Sequence, residues 1–534
     1  MKKGITGIRS LLVIILLIAM TASLFAGCSG TADDQTTPSE TATPTVASTP
    51  SPTSSLSGTL TISMPFAEQK PVWEDLAAAY MSKNPGVTIV IDDKDSSTYA
   101  TWLGTQLAGE DITADIVLNN TAIAYYAMGK FVDYSSYLNK GNPYADGATW
   151  KDILEPQAYS FKTADGIFTI NSDFTQVLWM YNKDIFAEAG ATVPTNWDEL
   201  VAACEQIKTA GYTPLALAGD ANSLTMQLGW LMWIYTDQYF RDLEPLAVTV
   251  EGDYNYDADK MSAWIFDSTN PLNDSADNVD FNAIRVLQML SNGEVGADTD
   301  KYREMMTNFA KIIPDYVPDG FFGTDVLTAK NLFLQGKAAI YIATVDFAAS
   351  FDGLMADSAE PFELGYFSSP PMTGDNVGVD YTRAVGGQVG FIGVTNKTTE
   401  QNDLAMDFMM YYLSPEGQSV RYESMVENAM APQGASLVKG SQMPDTWQDI
   451  FSTLDVSGAA PTLNPYIVFS EGLSIDQESV RVFQDNLQQY LQGQITVDSF
   501  SATMQQALVE AIPRYLALLG FREDAISDPS VNPF

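Results

Sequence analysis

The arrangement of apolar runs near the start of the globular part constrains the fold of this chain more than any other feature. Three short runs rich in β-branched and aliphatic residues, at 59–64, 87–91 and 115–118, alternate with helical patterns at 73–83 and 99–108. A strand–helix–strand–helix–strand order favours a parallel sheet with helices on its faces, and hence an α/β fold. In such sheets ligands bind beyond the carboxyl ends of the strands. We therefore expect the loops after the first and third strands to line a cleft.

The length and the charge of the chain narrow the possibilities further. A chain of 534 residues is too long for a single hydrophobic core and predicts two or more lobes. Its formal net charge of −40 disfavours binding to nucleic acid, because a negative surface repels phosphates. The chain has no histidine, which excludes His-based zinc sites, Ser-His-Asp triads and Cys-His dyads. We predict neither a metal site nor a cofactor.

The first 28 residues have the pattern of a secretion signal. Two lysines and an arginine lie within the first nine residues, an apolar run follows at 11–20, and small residues precede Cys28. A cysteine at this position resembles the lipidation site of a bacterial lipoprotein. We predict that residues 1–27 are a signal peptide and that Cys28 is lipidated. The alternative is a transmembrane anchor, which is disfavoured because the run is shorter than the ~20 apolar residues of a spanning helix.

The next segment, together with Cys28, spans residues 28–58 and differs in composition from the rest of the chain. Ser, Thr and Pro dominate it, and it contains no aromatic residue, Lys or Arg. Such a segment buries too little apolar surface to offset its conformational entropy. Behind a lipidated cysteine it predicts a disordered tether that holds a globular part away from a membrane. The other cysteine, Cys204, lies on the apolar face of a predicted helix, so we expect a buried thiol and no disulfide.

The passage YNKDIFAEAGATVPTNWDEL at 181–200 is the most informative of the chain. It predicts the end of a strand and a helix closed by Gly190 in a left-handed conformation. A second helix is expected to begin at Thr195, with Asp198 completing a capping box. The order of these residues resembles the family 1 extracellular solute-binding proteins, the carbohydrate-binding components of ABC importers.

Other passages carry the same resemblance. WEDLAAAYMSKNPGV at 73–87 is similar to the family's first lobe, and NLFLQGKAAIYI at 331–342 to a helix and buried strand of its second lobe. DYTRAVGGQVGFIGVT at 380–395 is similar to a hinge crossing, and SPEGQ at 414–418 to a later helix start. The resemblance covers residues 59–520.

The resemblance implies a two-lobed α/β fold of the type II periplasmic-binding-protein kind, with a ligand cleft between lobes joined by hinge strands. Lobe 1 is then expected at 59–172 and 388–432, and lobe 2 at 173–387 and 433–525. The implied function is capture of a carbohydrate, an oligosaccharide in particular, by a membrane-anchored monomer on the outer side of the cell membrane. The implied partners are the permease subunits of an ABC importer, and no catalysis is expected.

Candidate ligand-binding residues follow from strand ends, from hinge positions and from the resemblance. Those in the loops of lobe 1 come from the strand-end rule, and those at 175, 176 and 387 lie where the family crosses between lobes. The lobe 1 candidates have the alternative of ordinary loop residues, Trp230 has that of core packing, and the candidate at 346 has that of a helix N-cap. The candidates are Phe66, Glu68, Asn119, Asn120, Thr175, Gln176, Trp230, Asp346, Phe347, Gly387 and Arg481.

Three other functions share parts of this pattern. An oligopeptide-binding lipoprotein has a similar length and tether, but it would lack the passages at 181–200 and 331–342. A membrane-tethered glycosidase needs two carboxylates, and with 67 acidic residues a nearby pair carries no information. An adhesin or sensory protein would keep the cleft without a cognate permease.

Overall fold

The computed structural model of the chain describes residues 56–65, 67–109, 111–120, 122–160, 166–220, 223–275, 278–356, 358–459 and 464–533. The signal segment, Cys28 and the candidate ligand residue Phe66 lie outside these ranges. Gly58, which the sequence assigns to the tether, is already the first residue of a strand, and Leu56 packs against a hydrophobic core. Among the described residues, no helix has both the length and the apolar composition needed to cross a membrane.

Strands alternate with helices in the first part of the described chain, and longer runs of helices follow the strands that end at Ala216 and Ser436. The strands of the chain are β1 (Gly58–Met64), β2 (Val87–Asp93), β3 (Ile116–Leu118), β4 (Asp173–Asn182), β5 (Thr213–Ala216), β6 (Ala338–Thr344), β7 (Leu364–Phe367), β8 (Gly386–Val389), β9 (Ile392–Val394) and β10 (Ala435–Ser436). Its α-helices are α1 (Lys70–Lys83), α2 (Ser96–Ala108), α3 (Trp150–Ile153), α4 (Lys183–Ala189), α5 (Trp197–Thr209), α6 (Gly229–Phe240), α7 (Glu244–Ala247), α8 (Ala258–Met261), α9 (Ala283–Ser291), α10 (Asp300–Ala310), α11 (Val326–Leu334), α12 (Val345–Met355), α13 (Thr399–Tyr412), α14 (Pro415–Glu427), α15 (Asp445–Phe451), α16 (Gln477–Leu491) and α17 (Val497–Leu518).

The first sheet has the strand order β2-β1-β3-β9. Strands β1, β2 and β3 are parallel, as their pattern in the sequence predicts, and β9 is antiparallel to β3. Helices α1 and α2 follow β1 and β2, so each crossover returns along a face of the sheet. A core that includes Ile62, Tyr80 and Trp150 fills the space between this sheet and its helices.

The second sheet has the order β10-β4-β6-β5, and β7 and β8 also pair with β4. Strands β5 and β6 are parallel to each other and antiparallel to β4. One face is covered by a large core that includes Trp197, Leu231 and Phe500, and the other by a smaller one around Phe333. Each sheet therefore has its own hydrophobic core, which the length of the chain leads us to expect.

The chain leaves the first sheet just before β4, after Ile170 forms a bridge with Ile392 of β9. A buried ion pair holds the first residue of β4. Asp173 accepts two hydrogen bonds from the guanidinium group of Arg421 on α14, at 2.9 and 2.6 Å. Both residues are buried. A bidentate arginine–carboxylate pair is short and directional, so the start of β4 is fixed to the helices of the first sheet.

Strands β8 and β9 cross back between the sheets through Gly390. Strand β8 pairs with β4, and β9 pairs with β3 after a turn of two residues. Gly390 has φ +115°, and a Cβ atom there would lie 2.8 Å from the Ser172 hydroxyl. The turn therefore requires glycine for both its dihedral angle and its close approach to the neighbouring chain.

The passage at 181–200 forms the predicted units, with one correction. Gly190 ends α4 in the left-handed conformation, with φ +65°, as predicted. The N-cap of α5 is Asn196, whose side chain accepts a hydrogen bond from the Glu199 N–H, and the prediction that this helix begins at Thr195 is wrong. Thr195 instead donates from its own N–H to the Glu199 carboxylate. Asparagine is one of the best N-cap residues, and a choice between adjacent Thr and Asn cannot be made from spacing alone.

Candidate functional site

In each sheet, the carboxyl ends of the parallel strands (β1–β3 in the first, β5 and β6 in the second) lie beside the strands that cross between the sheets. Asn119, which follows β3, donates from its N–H to the carbonyl of Phe391 in the crossing turn. At the other sheet, Thr344 at the end of β6 pairs with Val177 of β4. Loops from the two sheets therefore meet at the crossing strands, in the position where α/β sheets bind ligands.

The side chain of Asn119 is fully buried at this junction. Its amide nitrogen donates to the Phe168 carbonyl at 2.8 Å, and its Oδ1 has no hydrogen-bond partner among the described residues. A buried acceptor without a partner is destabilising unless water or a ligand satisfies it. Asn120 is also buried, and Glu68 is exposed in a single 3-10 turn after β1.

The candidates on the crossing strands are brought together by the sheet register. Thr175 of β4 is paired with Gly387 of β8, and both are half-buried. Gln176 faces away from any open space, because both ends of its amide are occupied. It donates to the Asp455 carbonyl and the Ser457 hydroxyl and accepts from the Asp455 N–H, all within 2.8 Å. Gln176 thus attaches the 455–457 loop to β4.

Asp346 lies at the carboxyl end of β6, in the first turn of α12. Thr344 is the N-cap of this helix, so the alternative that Asp346 caps it is wrong. The Asp346 carboxyl is half-buried, and burial raises its pKa above the usual range. Its neighbour Phe347 is buried among aromatic rings, with the Tyr341 centroid 4.9 Å away.

Two candidates lie on helices of the second sheet. Trp230 is in the first turn of α6 and is 6% exposed within the large core. The preceding π-helical turn holds Gln227, which accepts from the Ala218 N–H and donates to the Ile342 carbonyl. The start of α6 is thereby attached to the ends of β5 and β6. Arg481 is exposed on α16.

The end of β2 supplies a group of side chains that the sequence reasoning missed. Lys70 on α1 donates to Asp93 at 2.8 Å, and this hydrogen bond lowers the pKa of the Asp93 carboxyl. The ammonium group of Lys94 lies 5.1 Å from the centroid of the half-buried Trp102 ring. The rule that ligands bind beyond the carboxyl ends of parallel strands selected the loops after β1 and β3, and it applies equally to the loop after β2. These side chains could therefore have been predicted from the sequence.

Five ionisable residues are buried together beside the segment that leads into β8. Arg383 forms a bidentate pair with Asp237 at 2.8 and 2.5 Å and donates to Asp274 at 2.7 Å. Arg241 forms a second bidentate pair with Asp274 at 3.0 and 3.1 Å. Glu244 completes the group, 3.8 Å from the Arg241 guanidinium. We call these residues the arginine–carboxylate cluster.

The cluster joins four parts of the second sheet's layer. Asp237 is on α6, Glu244 on α7, Asp274 in the 262–281 segment, and Arg383 before β8. Asn464 adds a hydrogen bond to Asp237 at 2.8 Å. In the described part of the chain, no group of three or more Cys, Asp or Glu residues is arranged to hold a metal ion.

Comparison with known proteins identifies the family. Residues 66–419, more than half of the chain, match the family described as bacterial extracellular solute-binding protein. The chain belongs to this family. A probable sugar-binding periplasmic protein of Brucella suis is 34% identical over 74 residues, which are 13% of this chain and 17% of the relative. The chain thus aligns with less than a fifth of that relative's length.

Solved structures support the fold at low sequence identity. A probable secreted solute-binding lipoprotein from Streptomyces coelicolor has a TM-score of 0.57 and 14% identity, covering 85% of this chain and 99% of that one. The cyclic alpha-maltosyl-1,6-maltose binding protein from Arthrobacter globiformis has a TM-score of 0.53 and 18% identity, with coverages of 87% and 99%. The predicted two-lobed, type II α/β fold is therefore confirmed, while the residue boundaries of the lobes stay a prediction.

Proposed function

We propose that this solute-binding protein captures an oligosaccharide between its lobes and delivers it to the permease subunits of an ABC importer. The observation that carries the proposal is the meeting of strand ends from both sheets at the crossing strands. Hydroxyl, amide and carboxyl groups of Thr175, Asn119 and Asp346 come from different lobes or from the strands between them. A ligand that contacts both lobes stabilises the closed arrangement by its differential affinity for it.

The chemistry of these groups suits a sugar. A pyranose presents an apolar face and a rim of hydroxyl groups, so it is bound by aromatic rings together with planar polar side chains. Trp102 and Trp230 supply rings near the strand ends, and Lys94 and Asp93 supply charged hydrogen-bonding groups. The sugar-binding name of the Brucella relative and the maltosyl ligand of the Arthrobacter protein support the same substrate class.

The proposed binding residues extend those expected from the sequence. We place Asn119, Asn120, Thr175, Asp346 and Gly387 at the ligand and add the side chains at the end of β2. Gln176 and Phe347 act by holding the 455–457 loop and the start of α12. Glu68, Trp230 and Arg481 stay candidates for contacts at the periphery of the cleft, and Phe66, which lies outside the described residues, stays a prediction from the sequence.

A thermal-shift screen of the full chain tests the proposal. Malto-, xylo- and chito-oligosaccharides, raffinose and a set of tri- to pentapeptides are the probes. A ligand at 100 times its dissociation constant adds about 2.7 kcal/mol to the free energy of unfolding, so a binding carbohydrate raises the melting temperature. A shift with peptides and with no carbohydrate would refute the proposal in favour of a peptide-binding protein.

A matched pair of variants on one helix places the ligand. Asp346→Asn removes a half-buried carboxyl at the strand end, while Asp352→Asn removes an exposed one on the same helix. We expect the first to weaken binding of the selected carbohydrate at least tenfold and the second to leave it unchanged. Equal effects would mean that the ligand does not contact the end of β6. Analysis of the same mixtures for cleavage products tests the expected absence of glycosidase activity.

We also propose that Cys28 anchors the protein to the outer face of the cell membrane through a lipid. The basic, apolar and small residues before it support this. The residues between Cys28 and Leu56 then serve as the tether, because Leu56 and Gly58 already belong to the folded part. Cys28→Ala is expected to move the protein from the membrane fraction to the soluble secreted fraction. Retention of the variant in the membrane would indicate an uncleaved anchor instead.

A further inference from the structure

A concavity of about 400 Å³ lies on the surface of the second lobe, apart from the crossing strands. Pockets that bind small molecules have volumes of roughly 300–1,000 Å³ and combine apolar walls with a few polar groups. This concavity has that size and composition. It is lined by Pro314, Pro318, Asp319, Gly320, Phe321, Phe322 and Gln492.

The apolar wall of the concavity is formed by two adjacent aromatic rings. The rings of Phe321 and Phe322 pack edge to face, with centroids 5.0 Å apart. Phe321 is buried in the core and supports Phe322, which is half-buried. Asp319 and Gln492 are exposed at the rim, and Gln492 is the C-cap residue of α16. An aromatic platform held by a buried neighbour, with an acceptor and an amide beside it, is complementary to a ring that carries hydroxyl groups.

The concavity adjoins the carboxyl end of β5. The segment that forms it runs along this edge strand, where Leu215 donates from its N–H to the Tyr316 carbonyl. Beyond the strand, Gly219 and Asp220 both donate to the Thr324 carbonyl, at 2.9 and 3.1 Å. Phe321 lies so close to Gly219 that a Cβ atom there would be 2.5 Å from the ring. Because β5 pairs with β6 in parallel, with Ala216 opposite Tyr341, the concavity begins at the same end of the strands as Thr344 and Asp346.

We propose that this concavity is an outer subsite that binds a sugar ring of the same oligosaccharide whose other end occupies the cleft. This inference rests on the proposed function and deepens it, because a second subsite favours chains of several sugar units over mono- and disaccharides. Phe322 provides the ring platform, Asp319 accepts hydrogen bonds from sugar hydroxyls, and the Gln492 amide nitrogen donates to them. The Gln492 amide oxygen already accepts from the Gln494 amide. A disaccharide in the cleft would leave this subsite empty.

Calorimetric titration of the full chain with a series of chain lengths tests the inference. The series is the one that the thermal-shift screen selects, for example maltose to maltohexaose, and Phe322→Ala is compared with the unchanged protein. We expect Phe322→Ala to weaken binding of the longest chains about tenfold, as for loss of one well-packed aromatic contact. Binding of the shortest chain that the cleft accepts is expected to be unchanged.

Two further variants keep the result interpretable. Asp319→Ala with Gln492→Ala changes only exposed side chains, so this double variant retains the fold and should also lose affinity for long chains. Phe362→Ala removes a half-buried ring on the opposite face of the same sheet and should leave every affinity unchanged. Unaltered binding of long chains by both subsite variants would overturn the inference while leaving the proposed function intact. If no carbohydrate binds the unchanged protein, the proposed function itself is overturned.

Discussion

Replacement of Glu244 by Gln tests the charge balance of the arginine–carboxylate cluster. The cluster contains two guanidinium groups and three carboxyl groups, and each of these side chains is at most 1% exposed. An uncompensated buried charge costs several kcal/mol, so one carboxyl group must hold a proton. Asp237 and Asp274 each form a bidentate pair with an arginine, whereas neither carboxyl oxygen of Glu244 accepts a hydrogen bond from a described residue, and Glu244 faces the Asp274 carboxylate. We therefore expect Glu244 to be the protonated group.

The sign and the size of the pH effect follow from this protonation. Burial, together with the negative charge of Asp274, raises the pKa of Glu244 well above its ordinary value of 4.5. Between the two values the folded protein holds one proton more than the unfolded chain, so the free energy of unfolding falls as the pH rises. The slope is at most about 1.4 kcal/mol per pH unit, or about 4 kcal/mol between pH 5 and pH 8. Gln cannot titrate, and its amide can donate to Asp274, so Glu244→Gln lacks this slope.

Urea unfolding of the full chain between about pH 5 and pH 8 measures the effect. The neighbouring groups that also titrate are the same in both proteins, so their contributions cancel in the difference. We expect Glu244→Gln to become more stable than the unchanged protein by up to about 1.4 kcal/mol for each pH unit. Glu251→Gln, which alters an exposed carboxyl in the same region, should show a constant difference. A constant difference for Glu244→Gln as well would refute the reasoning, because Glu244 would then be charged in the folded state.

Three further substitutions test the strands that cross between the sheets and the proposed ligand cleft. Asp173→Asn leaves Arg421 buried without its carboxylate partner and should lower the free energy of unfolding by about 3–5 kcal/mol. Its control, Glu363→Gln, alters the exposed pair with Lys183 and should change the free energy of unfolding by less than about 1 kcal/mol. Similar losses for the two variants in urea unfolding would contradict this prediction. Gly390→Ala should destabilise the protein, because Gly390 has φ +115° and the added Cβ atom would lie too close to Ser172. Gly353→Ala on α12 has open space around it and should stabilise the protein by about 0.5–1 kcal/mol. Circular dichroism melts compare the two variants, and a Gly390→Ala variant as stable as the unchanged protein would refute the claim that this position requires glycine. Trp230→Ala should lower the free energy of unfolding by about 3–5 kcal/mol, because the ring is 6% exposed within the large core, and it should also weaken carbohydrate binding. Unchanged affinity would place Trp230 in the core alone.

Features that depend on a few adjacent residues could be predicted from the sequence. The three parallel strands of the first sheet follow from local alternation and the helices between them, and Gly190 is predicted because few residues other than glycine adopt its dihedral angles. The crossings at 175–176 and 380–395 came from the resemblance, since periodicity alone does not distinguish a hinge strand from a core strand. The two-lobed fold was therefore predictable, and most of its chain path with it.

Features that depend on distant partners could not be predicted. The Arg383–Asp237 pair joins residues 146 positions apart, and nothing near either residue indicates the other. Gln176 was expected to face the ligand, but the Asp455 loop that occupies its amide lies 279 positions away. Polar residues at strand ends are thus predictable as a group, while the choice between ligand contact and internal hydrogen bond depends on segments that fold against them later.

The passage at 181–200 identifies the family for reasons that are separate from the ligand. Asn182 caps α4 by accepting from two N–H groups, Gly190 ends that helix, Asn196 caps α5, and Trp197 is buried with its indole N–H on the Asn308 carbonyl. Each of these positions is restricted by backbone geometry or by packing, whichever sugar is bound. The side chains at 93–94, 346 and 322 are less restricted, because loops and surfaces accept many residue types. Differences in ligand between members of this family should therefore map to those positions, and the recognisable passage should be insensitive to them.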